Sequence, residues 1–314
     1  MADPATQPDP VTAAAWVKSQ ARALGFDDVG IARADLAPDA HHFRRALAEG
    51  RMDPIPYLSE RVPERCDPRV LLPGARSVVV VMMGYLEPRP EPPAEPHLKV
   101  ARYAARRDYH NPFIKRLRSL RGRLRAEYPG TDAYVAADTG AVLERSWARA
   151  AGLGWIGKNA MLLSRTHGTY TLLGSLITTL ELAPDAPFTA DHCGTCTRCL
   201  DACPTGALTE ARTLDARRCI TAFNVECFDD ELPPHAPPLH DWVFGCDICQ
   251  EVCPWGSRGV LNPQLASRAE LAFIPTSALD SRATVASLPE LTGTPLARAG
   301  VKRLQRNARA RQKP

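Results

Sequence analysis

Seven of the chain's ten cysteines fall in two tightly spaced runs. Cys193, Cys196, Cys199 and Cys203, followed by Pro204, spell C-x2-C-x2-C-x3-C-P, and Cys246, Cys249 and Cys253 repeat the end of that pattern before Pro254. This is the spacing by which bacterial two-cluster modules hold a pair of [4Fe–4S] clusters. The first three cysteines of a run bind one cluster, and the fourth, set off by a longer step and a proline, crosses to the other. Cluster one then takes Cys193, Cys196, Cys199 and the distant Cys253. Cluster two takes Cys246, Cys249 and the distant Cys203, and it lacks one ligand, because Val243 stands where a complete second run has cysteine. Cys219 and Cys227 in the intervening segment are the candidates, and spacing alone does not choose between them.

Disulfides, zinc and inert thiols fit this pattern less well. The chain opens MADPATQPDP, without the charged and apolar regions of a secretory signal, so a cytoplasmic setting is expected in which thiols stay reduced. Structural zinc wants two separated C-x2-C pairs, whereas three cysteines at successive three-residue steps followed by C-P overfill a tetrahedron. Cys66, alone in a charged stretch, reads as an ordinary thiol. With 314 residues the chain is too long for the cluster module alone. At roughly 100–200 residues per domain it suits two or three units. No apolar run reaches the ~20 residues of a membrane helix, so no membrane partner is expected. The net charge of +4 is mild, but the basic residues are unevenly spread.

Val11–Leu24 reads as a helix closed by Gly25, and Val29–Ile31 as a short strand. Ser77–Tyr85 (SVVVVMMGY) follows a Leu72-Pro73-Gly74 turn. So continuous a β-branched run predicts a central strand buried on both faces, hence helices packed on a sheet. Glu87–Pro96 (EPRPEPPAEP) is proline-rich and acidic, and an exposed spacer is expected there. Phe113, Leu117, Leu120 and Leu124 recur at helical spacing, with Lys115, Arg116, Arg118, Arg121, Arg123 and Arg125 on the other faces. That basic surface is either simply solvated or binds phosphate. Arg298, Lys302, Arg303, Arg306, Arg309, Arg311 and Lys313 crowd the C-terminal end with no acidic residue among them. This is the composition of a segment that contacts polyanions, or of a disordered tail.

Tyr134–Ala137 reads as a strand running into Asp138-Thr139-Gly140, with Ala141–Ala151 helical beyond it. Asp138 thus falls at the C-terminal end of a strand, the edge where helix-covered sheets bind ligands. An aspartate before a helix is also an ordinary N-cap, and on sequence alone the cap is the favoured reading. Gly152-x-Gly154-x-x-Gly157 has the form of a dinucleotide fingerprint, but it follows a helix and leads into a strand at Met161–Leu163, so nucleotide binding is rejected. Its glycines are expected instead to admit backbone close to a large flat ligand, with Trp155, Lys158 and Asn159 presented. Thr169–Leu182 returns as one or two strands before the cysteine runs.

Taken together, these segments resemble the epoxyqueuosine reductases, tRNA-modifying enzymes that use cobalamin and two [4Fe–4S] clusters. The resemblance is carried by Tyr57-Leu58-Ser59-Glu60-Arg61, Asp67-Pro68-Arg69, Ala101-Arg102-Tyr103, Arg107-Asp108-Tyr109-His110, Asp138-Thr139-Gly140, the stretch from Gly152 to Asn159, and the cysteine runs. It implies an α+β fold, with a sheet-and-helix cobalamin domain over residues 1–183, a ferredoxin-like two-cluster domain over 184–262, and a short helical segment with a basic tail over 263–314. Arg218-Cys219-Ile220-Thr221 looks like the family's lone cysteine between the runs, which implies Cys219 as the fourth ligand of cluster two and leaves Cys227 over.

The implied reaction is reduction of the epoxide of epoxyqueuosine to the alkene of queuosine at the wobble position of tRNA. Asp138, by likeness to the family's catalytic aspartate, would give a proton to the departing oxygen. Implied cobalamin contacts are Arg61, the backbone near Ala101, Asp138, Lys158 and the Asn159-Ala160-Met161 turn. The expected partners are a tRNA anticodon stem-loop and an external electron donor, and the expected state is a cytoplasmic monomer. Many members continue into helical repeats that help hold tRNA, which this sequence lacks, so RNA binding is expected to be more electrostatic and to fall steeply with salt. A reductive dehalogenase would share the cobalamin domain and the clusters, but usually carries a twin-arginine export signal, and none is seen here. A plain electron carrier, or an RNA-binding protein braced by clusters, would leave Asp138 and the glycine loop without a role.

Overall fold

The computed structural model describes residues 8–280, 284 and 288–311; Lys313 of the basic tail lies outside them. Its main helices are α1 (Pro10–Ala23), α2 (Ala40–Ala48), α3 (His110–Glu127), α4 (Glu144–Ala150) and α5 (Pro295–Ala310). The strands that matter here are β1 (Asp28–Arg33), β2 (Ser77–Gly84), β3 (His97–Val100), β4 (Ala133–Ala136), β5 (Thr171–Thr178), β6 (Trp242–Phe244) and β7 (Phe273–Pro275).

The valine-rich run becomes β2, and every one of its residues is buried. It lies inside a four-stranded sheet of order β1-β2-β5-β4, antiparallel at each pairing. Successive side chains point to opposite faces of a strand. Val79, Val81 and Met83 accordingly join one core with α1 and α3, while Val78, Val80 and Met82 join another with Trp147 and Ala148 of α4. Helices cover both faces, and that coverage, not strand direction, makes β2 apolar throughout. Along α3 the predicted stripe of Phe113, Leu117, Leu120 and Leu124 is buried against this sheet.

A second sheet places β3 between β6, which runs parallel to it, and β7, which runs antiparallel. Its strands come from all three expected segments of the chain, and Leu98, Val243, Ile274 and Leu304 share one core. The cluster segment is thereby locked to what precedes and follows it. Residues 87–96 have no regular structure, as expected of a spacer. They are pinned at Arg89, whose guanidinium donates to Asp247 at 3.1 Å and to the Val100 carbonyl at 3.0 Å.

The basic C-terminal stretch is helical, but one of its arginines departs from expectation. Residues 295–310 form α5, broken at Gly300 where φ is 70° and ψ is 160°. Arg306 is 1% exposed, and its guanidinium donates to the carbonyls of Phe223, Cys227 and Asp229. Asn307 beside it donates to the carbonyls of Asn224 and Val243 at 2.8 Å each. These two residues are struts of the fold, because a buried guanidinium persists only where its donors are met. Neither a disordered tail nor a free polyanion contact describes Arg306. Among the described residues no helix is long and apolar enough to cross a membrane.

Two glycines test the packing in opposite directions. A Cβ at Gly30 would lie 2.1 Å from the Ala151 carbonyl oxygen, whereas one at Gly122, on the exposed side of α3, meets nothing within 4 Å. Gly30→Ala should therefore destabilise by about 1–3 kcal/mol, and Gly122→Ala should stabilise by about 0.5–1 kcal/mol through helix propensity. Urea denaturation of each variant beside the parent measures both signs.

Candidate active site

Two short helices, Arg198–Asp201 and Ile248–Glu251, pack against each other, and each carries the third or second cysteine of its run. Cys193, Cys196, Cys199 and the distant Cys253 line one cavity of about 120 Å³, together with Lys158 and Trp255. A second group forms deeper in the protein. There Cys219 is close enough to Cys203, and Cys246 and Cys249 to Cys219, for each thiolate to oppose ionisation of the next. Cys227 stands apart, with its Sγ 3.7 Å from the Asp229 carboxylate and 3.8 Å from Arg306.

Burial pushes the Cys246 thiol up to about 12 and raises Cys199, Cys219, Cys249 and Cys253, with neighbouring cysteines adding to the shift. Left alone, these thiols stay protonated at neutral pH, and they become thiolates only against compensating positive charge. Among the described residues no three His, Cys, Asp or Glu close round a single metal ion. Two groups of four thiols, each drawing on both runs, match the ligand count and crossed connectivity of a pair of [4Fe–4S] clusters.

The favoured N-cap reading of Asp138 is overturned. The residue preceding α4 is Leu143, and no side chain caps that helix. Asp138 sits just beyond β4 with φ at 59°, its backbone N–H donating to Glu144 Oε1 at 2.9 Å. Its half-exposed carboxylate turns the other way, and Oδ2 lies 2.5 Å from Nε2 of His110. His110 opens α3, and its Nδ1 lies 2.6 Å from Oδ1 of Asp108. Arg298 of α5 reaches the same imidazole and donates to Asp108 at 3.0 Å.

The electrostatics follow from this arrangement. Burial works to lower the pKa of His110, but hydrogen bonds to Asp108 and Asp138 outweigh it and the net shift is upward. Burial would raise Asp108, yet His110 and Arg298 hold its carboxyl below the usual range. Burial, with Asp138 close by, pushes Glu144 up to about 8. On the far side, the Tyr57 hydroxyl donates to Glu226 at 3.0 Å, and burial plus that carboxylate raise the phenol. Tyr109 lies buried and Tyr103 half-buried beside Asp138, and burial raises both phenols. Residue reading alone gave no role to His110, Glu144, Tyr57, Glu226 or Asp108; the one available signal was the Asp108-x-His110 spacing, which lets a carboxylate reach the next imidazole.

The implied cobalamin contacts divide. Arg61, Asp138 and Ala160 all adopt left-handed backbone, with φ of 54°, 59° and 60°, conformations uncommon for residues other than glycine. Asn159 is 4% exposed; its side chain donates to the Cys249 carbonyl at 3.4 Å and accepts from the Met161 N–H at 3.2 Å. The Ala160 carbonyl accepts from Arg145 of α4. The Asn159-Ala160-Met161 turn thus bridges the second thiol group and the helix that carries Glu144. Ala101 is buried, donates to the Phe244 carbonyl at 2.8 Å, and packs against Gly245 beside Cys246.

Lys158, like Asn159, lines the cavity of the first thiol group. The Lys158 Nζ donates to the Gly194 carbonyl at 2.7 Å. The glycine loop also differs from expectation, since the protein itself fills the space above it. A Cβ at Gly154 would meet the Leu163 carbonyl oxygen at 2.1 Å, and one at Gly157 would meet Leu163 Cδ1 at 1.9 Å. Those glycines permit a tight hairpin between Trp155–Ile156 and Leu162–Leu163. On α3, Arg116, Arg123 and Arg125 are engaged by Gln264, Gln20 and Asp132, while Lys115 and Arg118 are exposed.

Residues 65–139 match the family described as Epoxyqueuosine reductase QueG, DUF1730, and residues 192–256 match the 4Fe-4S double cluster binding domain, Fer4_16. An epoxyqueuosine reductase of Gloeobacter violaceus is 45% identical over 249 residues, which cover 78% of this chain and 76% of that protein. The crystal structure of an epoxyqueuosine reductase with an epoxyqueuosine-modified tRNA-Tyr stem loop superposes with a TM-score of 0.82 at 28% identity, over 95% of this chain and 80% of that one. A Bacillus subtilis epoxyqueuosine reductase, solved with its catalytic aspartate loop swung out of the active site, gives 0.81 at 28% identity with the same coverage. With identity running across three-quarters of both chains on a shared fold, this chain belongs to the epoxyqueuosine reductase family.

Proposed function

We propose that this chain, an epoxyqueuosine reductase, converts the epoxide of epoxyqueuosine to the alkene of queuosine at the wobble position of a tRNA, with Asp138 as the proton donor. The observation that carries this reading is the run of short hydrogen bonds Asp108–His110–Asp138, ending at a half-exposed carboxylate on left-handed backbone. Loss of the epoxide oxygen as water takes two electrons and two protons. Side chains hold and move protons, but none supplies low-potential electrons, so cofactors and an external donor must. Bound cobalamin would offer strongly reducing cobalt to the substrate, with two [4Fe–4S] clusters feeding it electrons singly.

Cys193, Cys196, Cys199 and Cys253 would hold one cluster, and Cys203, Cys219, Cys246 and Cys249 the other. Cys219, not Cys227, is supported as the eighth ligand by its place beside Cys203 and Cys246. Arg61, Ala101, Asn159, Ala160 and Met161 would border the cobalamin. Strained backbone persists where the surroundings over-determine it, and three of the chain's left-handed non-glycine residues fall in this set once Asp138 is counted. Lys158 is assigned to the cluster-one side and not to the corrin.

An imidazole clasped between two carboxylates is stabilised as imidazolium, donating from both nitrogens, and the carboxylates outweigh the Arg298 guanidinium that works against that charge. His110 would so keep Asp138 supplied with a proton as the oxygen departs, while Glu144 fixes the backbone of Asp138. Exposed Lys115, Arg118 and Lys302, with Arg298 beside Asp108, offer cations to the RNA backbone.

Asp138→Asn should lower kcat/KM for epoxyqueuosine-tRNA by about 10²–10⁴-fold, the usual weight of general acid catalysis, with stem-loop affinity kept within about twofold. A full-rate variant would refute the role. Because the folded pKa of His110 is raised, its charge and the stability it contributes are complete below the unfolded value near 6.5 and are lost as pH rises through the folded value. The pH profile of single-turnover reduction should fall on its alkaline side, and His110→Gln should be slower and lack that limb.

A further inference from the structure

From the surface over the first thiol group we infer a docking face for a small, acidic, low-potential one-electron carrier protein. This deepens the proposed function, which requires an external donor without identifying it. The cavity at Cys193, Cys196, Cys199 and Cys253 is lined by Lys158, Arg198 and His192, and by no carboxylate. Arg258 adds a further cation, with its guanidinium 4.3 Å above the Trp255 ring that closes the cavity. Of the carboxylates flanking the cysteines, Asp191 pairs with Arg212 at 2.6 Å and Glu251 with Arg89 at 3.3 Å, while Asp201 accepts from Thr197 at 2.7 Å and keeps its charge. Arg198 and Arg258 are exposed, so their charge faces outward.

The face also has the contacts that electron entry needs. Trp155 donates to Cys193 Sγ at 3.5 Å and packs edge-on against Trp255 at 4.8 Å, so aromatic side chains run from the thiol to the surface. Interface cores favour this mixture of aromatic and arginine side chains. Its position separates it from RNA. Asp138 lies beside Tyr103, Tyr103 packs on Gly245 next to Cys246, and Cys249 of that second group adjoins Cys199 of the first. Substrate at Asp138 and this cationic face therefore stand at opposite ends of the series of groups that electrons must cross. One electron leaves the carrier per encounter, the carrier is oxidised by one unit, and two encounters supply the two electrons that leave with the epoxide oxygen as water. Cationic clefts steer anionic partners and raise their on-rates.

The test uses iron-loaded protein and a reduced, acidic plant-type [2Fe–2S] ferredoxin, mixed anaerobically in a stopped-flow spectrometer. The second-order rate of reduction of the protein's clusters should drop as ionic strength rises, and should fall about tenfold or more in an Arg198→Glu/Arg258→Glu variant. Reduction by small, uncharged photoreduced deazaflavin, iron content and affinity for an unmodified RNA stem-loop should all stay as in the parent. Arg258→Glu alone, outside the cysteine runs, should show the same loss more weakly if the double variant fails to load iron. Calorimetric titration with the oxidised ferredoxin should show weaker association in either variant. An unchanged ferredoxin rate overturns the proposal, as does loss of stem-loop affinity with the ferredoxin rate intact, which would give the face to RNA. Since the readout is cluster reduction and carrier binding, a failure of substrate turnover would count against the proposed reaction and not against this face.

Discussion

The crossing of the cysteine runs is the constraint on which the rest of the molecule depends. Cys253 joins the three cysteines of the first run at one cavity, and Cys203 joins Cys219, Cys246 and Cys249 in the deeper group. Neither set is continuous in sequence, so neither forms until the two short helices that carry Cys199 and Cys249 have packed together. Burial raises Cys199, Cys219, Cys246, Cys249 and Cys253, and bound metal reverses that preference by supplying positive charge where water cannot reach. Folding of this segment and loading of iron are therefore coupled.

The module is bolted to the rest of the chain by polar groups with few alternatives. Asp247, between two cysteines of the second run, accepts from the Arg102 backbone at 2.7 Å and from Arg89 at 3.1 Å. Arg306 and Asn307 close the opposite side on carbonyls of residues 223–229 and 243. These bonds fix Cys246 and Gly245 against Ala101 and Tyr103, and Tyr103 borders Asp138. One small stretch of backbone, Ala101–Tyr103 and Val243–Cys246, thus carries both the edge of the second thiol group and the wall beside Asp138. Removing one partner of such a buried polar set costs more than the bond itself, because the group left behind has no water.

Much of this was legible in the sequence wherever the signal is local. The step pattern of the cysteines, the continuous β-branched run of Ser77–Gly84 and the apolar stripe of α3 are each set by neighbours within a few residues; the run and the stripe have their expected places. The readings that failed share a different cause. An aspartate ahead of a helix looks like a cap unless one knows that His110, 28 residues earlier, comes to meet it. Glycines at 154 and 157 looked like room for a ligand, but Leu163 of their own hairpin occupies that room. Arg306 counted as one more charge in a basic tail, although composition carries no information about burial. Spacing could not separate Cys219 from Cys227, because which of them comes to lie near Cys203 is decided by tertiary contacts.

The most direct measurement is metal and cofactor content after anaerobic purification with added cobalamin, read by absorption and EPR with iron and cobalt counted per chain. About eight iron, as two four-iron clusters require, and one cobalamin per chain are predicted, with the cobalamin lost selectively when the Asn159-Ala160-Met161 turn is disrupted. Eight iron with no affinity for cobalamin would contradict the proposed chemistry and leave a two-cluster electron carrier in its place.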